Sequence, residues 1–253
     1  VFELTFIPAV IAVIILAPML SRVGAKAIRT NQIGKHLLCG LFTYLAILFW
    51  FFAAIRMPVA EFFALQFTAP LFTIALAMVV LRERVDAGNW IATLIGFAGI
   101  VIILRPGLIE VTLAAIATLV SSAFYAGVNT MIKVLTRADP TTVIVFYINL
   151  LIVPLSLPMA VIEWKTPAWA DMPFIAGIAV LNTLAFLAIT RAITLADARV
   201  VQPVNFMRLP IAATFGFIMF GEVPDVWTWV GGFVIVASAT YIAHREARSR
   251  HRG

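Results

Sequence analysis

The stretch that decides the fold class is Leu37–Ile55, LLCGLFTYLAILFWFFAAI, which holds 19 consecutive residues without a charge. About 20 apolar residues in a helix span the hydrocarbon core of a bilayer. The whole chain of 253 residues is 63% hydrophobic and only 12% charged, too few charges to cover the surface of a soluble domain. Because lipid leaves backbone polar groups no outside partner, and the apolar runs are continuous instead of alternating, we expect an all-α integral membrane protein.

Eight further apolar segments flank this one, which predicts a multi-pass protein of the cell (inner) membrane. The nine predicted spans are Leu4–Leu20, Leu37–Ile55, Val59–Leu81, Trp90–Leu104, Val111–Leu135, Thr141–Ile162, Met172–Ile193, Val200–Phe220 and Val226–Ala243. The first is interpreted as a span and not as a signal peptide, since it lacks a basic region before it and a clear cleavage site.

The basic residues predict how the spans are oriented. Of the 18 Lys and Arg residues, fourteen fall in loops or the tail on one side of the predicted spans and three on the other. Loops rich in Lys and Arg usually stay on the cytoplasmic side of a membrane. Because the C-terminal tail belongs to the side with fourteen basic residues, the C-terminus is predicted to be cytoplasmic. Orientation of the spans in the membrane then explains the net charge of +6, so nucleic acid is not an expected partner. The lone Cys39 and the three His residues show no metal-ligand spacing, so neither metal nor cofactor is predicted.

An acidic and aromatic triplet occurs twice in the chain with identical spacing. The copies are 139 residues apart: Glu83, Asp86 and Trp90, then Glu222, Asp225 and Trp229. Five predicted spans separate the copies, and an odd number turns the second copy upside down. Inverted repeats are typical of secondary transporters that bind solute near the midplane. We therefore predict a 5+5 inverted repeat, with residues 1–107 as the first domain and 108–253 as the second. The first domain is one helix short, so we expect a preceding first helix.

Several short stretches, taken together, resemble the EamA type of the drug/metabolite transporter superfamily. These are Ala64–Phe72, Leu81–Arg84, Gly96–Val101, Arg105–Gly107, Arg208–Pro210 and Phe220–Asp225. The resemblance implies a 5+5 helical fold around a central cavity and alternating access for uptake or export of small metabolites.

Arg208 is the most distinctive candidate, because it lies about 13 Å into its predicted span at 1.5 Å per residue. An arginine at that depth costs about 2.5–3.5 kcal/mol to insert, so it should face a cavity and a partner. We hypothesise that it binds a carboxylate or phosphate of the solute. The alternative is that it bonds carbonyls freed by Pro210 and serves a structural role.

Other polar or aromatic residues inside predicted spans could line the solute site, although bonding between helices explains any one of them equally well. They are Asn205, Gln202, Gln66, Tyr125, Asn129 and Asn182, with Trp50 and Tyr44 as aromatic walls. Pro70 and Pro210 sit at equivalent points of the repeats and are predicted hinges, although membrane helices also tolerate proline. Glu61, near the outer end of its span, is a candidate gate or proton site; facing water is the alternative.

The motifs of common enzyme classes do not occur in the sequence, so the chain is not expected to be an enzyme. We predict a secondary transporter for a small-molecule solute with a carboxylate or other anionic group, embedded in the lipid bilayer. A lipid-headgroup flippase is the alternative, followed by a membrane-embedded enzyme. No oligomeric state is predicted.

Overall fold

The computed structural model describes residues 3–23, 30–80, 87–105, 111–162, 164, 169–195 and 208–250. Within these ranges the regular structure is α-helical, without a strand. The helices are α1 Glu3–Val23, α2 Ile33–Ala54, α3 Val59–Gln66, α4 Ala69–Val80, α5 Ala87–Leu104, α6 Leu113–Leu135, α7 Thr141–Ile162, α8 Met172–Leu195, α9 Arg208–Phe220 and α10 Val226–Arg250. The predicted all-α class is confirmed.

The lengths of the helices agree with membrane crossing. Helices α2, α6 and α7 are each long and apolar enough to span a bilayer, and the other described helices carry shorter apolar stretches of 10–17 residues. Helix α10 continues past the predicted span end at Ala243 to Arg250. Charged Arg and Glu residues are good helix formers, so a helix can extend into water beyond its apolar part.

The third predicted span is divided in two, between α3 and α4, and proline explains the break. Pro70 has no N–H to bond the carbonyl four residues earlier. The chain turns at residues 67 and 68, where the Thr68 hydroxyl donates to the Leu65 carbonyl at 2.7 Å. The backbone N–H of Leu71 then donates to the Thr68 carbonyl at 2.9 Å, which starts α4.

The chain forms two compact units, and each draws helices from both predicted domains. The first unit comprises residues 1–47 and 127–194, and the second comprises 48–126 and 195–253. In the first unit α1 packs along α7; in the second, α5 packs along α10 and α3 packs against α9. The predicted domain boundary at residues 107 and 108 is therefore not the boundary between the compact units.

Small residues allow α5 and α10 to approach closely. A Cβ built on Gly99 would lie 2.9 Å from the Gly231 carbonyl oxygen and 2.7 Å from the Ile235 side chain. Glycine at helix contacts permits such backbone proximity in membrane proteins. Because Gly88, earlier in α5, lies beside Arg245, later in α10, the two helices run antiparallel.

A buried ionisable pair ties α2 to the turn before α7 in the first unit. The Nε2 atom of His36, whose side chain is fully buried, lies 2.8 Å from Asp139 Oδ2. The Thr30 hydroxyl donates to the same oxygen at 2.8 Å, and the Tyr147 ring lies 4.7 Å from the imidazole. Nδ1 of His36 is buried without a hydrogen-bond partner among the described residues.

Candidate functional site

A polar cluster lies in the otherwise apolar interior of the second unit, where α3 ends. The Gln66 side-chain amide donates to the Ser121 hydroxyl of α6 at 3.4 Å. Next along α6, Ser122 is fully buried and its hydroxyl has no partner among the described residues. Tyr125 follows Ser121 by one helical turn and is half-buried. We name the bonded pair Gln66 and Ser121, together with Ser122 and Tyr125 near Ser121 on α6, the Gln66 cluster.

The fold places Gln66 here through the proline break. Gln66 is the last residue of α3, and Pro70 has no N–H for the Gln66 carbonyl. Two polar groups of Gln66, its backbone carbonyl and its side-chain amide, are thus found together at the end of α3. A buried hydroxyl such as that of Ser122 is costly without a partner. The cluster can therefore hydrogen-bond a polar ligand.

Aromatic rings of the second unit pack with one another, and two of them, Phe62 and Phe124, lie within four residues of a cluster residue in the chain. Trp50, at the end of α2, meets the Phe62 ring edge to face at 5.2 Å. Phe124, next to Tyr125, stacks nearly parallel on Phe49 at 6.1 Å with 8° between the planes. Trp50 is half-buried, so part of its ring remains accessible. Such rings favour flat, polarisable partners.

A second polar group, the acidic cavity, lies at the other end of α3. Glu61, Glu222 and Asp225 are among the residues that line this space of about 130 Å³. Glu222 Oε2 accepts the backbone N–H of Val59 at 2.7 Å, which caps the start of α3. Asp225 forms an ion pair with Arg105 at 2.5 Å.

Arg105 is the cation of this region and adopts an unusual backbone conformation. Its φ of 42° lies in the left-handed region that side chains other than glycine rarely adopt. The guanidinium forms an ion pair with Asp225, and Glu61 lines the same cavity as Asp225. The role of Glu61 as a gate or proton site stays a prediction.

Three of the predicted solute-site residues, Gln66, Tyr125 and Trp50, belong to the second unit. Of these, Gln66 bonds Ser121, which lies one turn before Tyr125 on α6. Tyr44, Asn129 and Asn182 belong to the first unit, where Tyr44 is buried, Asn129 half-buried and Asn182 exposed on α8.

The remaining predicted residues are only partly described. Gln202 and Asn205 lie outside the described residues, and so do the side chains of Arg208 and Pro70. Arg208 is the first residue of α9, and Pro210 is exposed in the first turn of the same helix. Ser121 and Ser122 were not among the predicted site residues, although two adjacent hydroxyls inside an apolar span, about one turn before Tyr125, indicate a polar site.

Comparison with known proteins gives a consistent picture. The EamA-like transporter family model matches residues 1–105 and residues 112–243. A riboflavin transporter from Vibrio cholerae is 34% identical over 248 residues, covering 96% of this chain and 82% of the relative. An S-adenosylmethionine uptake transporter from Rickettsia prowazekii is 25% identical, covering 98% of this chain and 84% of the relative.

Two further similarities extend this comparison. A riboflavin transporter from Brucella anthropi is 29% identical, with 94% of this chain and 86% of the relative covered. A solved crystal structure matches with a TM-score of 0.67 at 18% identity, covering 98% of this chain and 88% of that one. This last similarity concerns the fold alone.

Proposed function

The chain belongs to the EamA-like transporter family, and we propose that it carries a small metabolite with a flat heteroaromatic ring across the cell (inner) membrane by alternating access. It is a multi-pass membrane transporter of small metabolites and not an enzyme. The observation that carries the proposed solute class is that the Gln66 cluster and the packed aromatic rings belong to the same compact unit.

The names of the relatives support the same solute chemistry. Riboflavin and S-adenosylmethionine differ in charge, but each joins a flat nitrogen heterocycle to a chain or ring bearing hydroxyl groups. The Trp50 ring offers a stacking surface for the heterocycle. The Gln66 amide, which both donates and accepts, suits the ring edge, and serine hydroxyls suit the solute's hydroxyl groups.

The register of two helices supports the inverted repeat on which alternating access would depend. Helix α2 begins at Ile33, and its proposed counterpart α8 begins 139 residues later at Met172, which is the spacing of the repeated acidic and aromatic triplet.

The packing within the units and the family match support the same repeat. Helix α5 packs along its counterpart α10, and α1 packs along its counterpart α7. A single family model also fits the two halves of the chain separately. Rocking of inverted repeats about a midplane site is the usual mechanism of such carriers.

A second candidate is a solute that also carries a carboxylate, which Arg208 favours. Of the two named solutes, S-adenosylmethionine alone has one. Arg208 begins α9, and a guanidinium pairs well with a carboxylate. This candidate predicts that Arg208→Gln abolishes transport of the carboxylate-bearing solute and leaves riboflavin transport unchanged.

The test is uptake of labelled riboflavin and labelled S-adenosylmethionine into proteoliposomes that contain the full-length protein. Gln66→Leu removes one neutral hydrogen bond to the solute and should weaken its apparent affinity about three- to tenfold. Asn149→Leu is the matched control, because its amide bonds the carbonyl of Val145 in its own helix. Saturable uptake of neither solute, or equal effects of the two substitutions, would contradict the proposed solute class.

A further inference from the structure

An open groove of about 300 Å³ runs between α5 and α10 in the second unit, apart from the Gln66 cluster and the acidic cavity. Buried Ala92 and Ser238 lie at its base, while Ile91 and Ile95 are more than half exposed at its rim. Ala237 also lines it and is exposed. The groove exists because small residues on both helices leave space between larger neighbours.

A cation occupies one end of this groove. Arg245 follows the groove residue Tyr241 by one turn of α10 and donates to its hydroxyl at 2.7 Å. The guanidinium lies against Gly88 of α5, where any Cβ would overlap it. A positive charge therefore lies where the groove ends.

The charges near the groove are mainly positive, which favours an anionic lipid. Three arginines, Arg248, Arg250 and Arg252, and one acidic residue, Glu246, follow Arg245 in the sequence, at the end of α10 that the loop charges predict to be cytoplasmic. The lining residues in the described part of the chain include no carboxylate. Anionic lipids give the cytoplasmic leaflet a negative surface that attracts such basic segments.

We propose that this groove binds an anionic phospholipid, with an acyl chain along Ile91 and Ile95 and the phosphate at Arg245. The planar fork of a guanidinium matches phosphate oxygens in pairs. A zwitterionic lipid brings the same acyl chain, but its headgroup already contains a compensating cation. Selectivity for the anionic headgroup therefore resides in Arg245, and affinity for any phospholipid resides in the groove.

Native mass spectrometry of the delipidated full-length protein, titrated with phosphatidylglycerol or phosphatidylcholine, tests this assignment. Arg245→Gln should weaken phosphatidylglycerol binding about fivefold, the contribution of one arginine near a membrane surface, and leave phosphatidylcholine unchanged. Ala237→Leu fills the groove from an exposed position and should weaken both lipids. Arg250→Gln removes the same charge from the helix beyond the groove and should change neither by more than twofold.

Two outcomes would overturn the proposal. One is equal binding of the two lipids by the wild type. The other is equal loss of phosphatidylglycerol in Arg245→Gln and Arg250→Gln, which would mean that the tail attracts lipid by net charge alone. Arg245→Lys keeps the charge but not the fork, and an intermediate affinity supports the assignment even where Arg245→Gln is poorly folded. Lipid binding is measured without transport, so the result is independent of the proposed solute.

Discussion

Removing Asp139 should destabilise the first unit more than any surface substitution, because it leaves a buried imidazole without a partner. His36 is fully buried, and its Nε2 bonds Asp139 Oδ2 at 2.8 Å. In the variant Asp139→Ala, neither ring nitrogen retains a described partner, since Nδ1 has none already. The Thr30 hydroxyl loses the same acceptor.

The expected cost follows from these two losses. A buried polar group without a partner costs about 1–3 kcal/mol, and an ordinary hydrogen bond contributes about 0.5–1.5 kcal/mol, so Asp139→Ala should cost about 2–4 kcal/mol. At roughly 2–4 °C per kcal/mol for a chain of this size, the melting temperature should fall by about 5–15 °C.

A rescue experiment separates this explanation from general damage. Replacing both partners by apolar groups is nearly neutral, so adding His36→Phe to Asp139→Ala should restore most of the lost stability. Adding His244→Phe instead, at an exposed histidine of α10, should restore none. Thermal unfolding in detergent, followed by intrinsic fluorescence, measures all four proteins. If Asp139→Ala melts with the wild type, or if the two double variants behave alike, the reasoning is refuted.

Three further substitutions, two of them with a control variant, test the packing of α5 on α10 and the acidic cavity in the same thermal assay. Gly99→Leu forces a side chain against the Gly231 carbonyl and should lower the free energy of unfolding by about 1–3 kcal/mol. The control Gly177→Ala meets open space and should not lower the melting temperature. Glu222→Ala removes the cap of α3 and should cost about 1 kcal/mol; Glu222→Gln keeps an acceptor and should cost less. Asp225→Asn breaks an ion pair whose aspartate is 48% exposed, so the loss should stay below about 1 kcal/mol and shrink as salt is added.

Hydropathy predicted the helices well because each span must satisfy its own backbone in lipid. The predicted sixth span, Thr141–Ile162, has the same bounds as α7. The break between α3 and α4 follows from Pro70, which the sequence analysis named as a hinge, although proline alone does not say where the chain turns. The Thr68 hydroxyl, which bonds the Leu65 carbonyl, fixes that position.

Side-chain partners were harder to predict, because a topology gives depth but not lateral position. The loop charges predict that His36 and Asp139 lie on the cytoplasmic side and that Arg105 and Asp225 lie on the other side. Residues at one depth are possible partners, but packing decides which of them meet. The partners are 103 residues apart in the sequence in the first pair and 120 residues apart in the second. The same reason explains why Gln66 was a candidate and its partner Ser121 was not.

Counterflow of riboflavin tests the central claim most directly. Proteoliposomes that contain the full-length protein are loaded with unlabelled riboflavin and diluted into a trace of labelled riboflavin. A carrier that alternates between two sides exchanges one solute for the other, so the label should accumulate transiently above its outside concentration, with a smaller peak for Gln66→Leu than for Asn149→Leu. A time course that is the same in loaded and empty vesicles would contradict the proposed alternating-access carriage of this solute class.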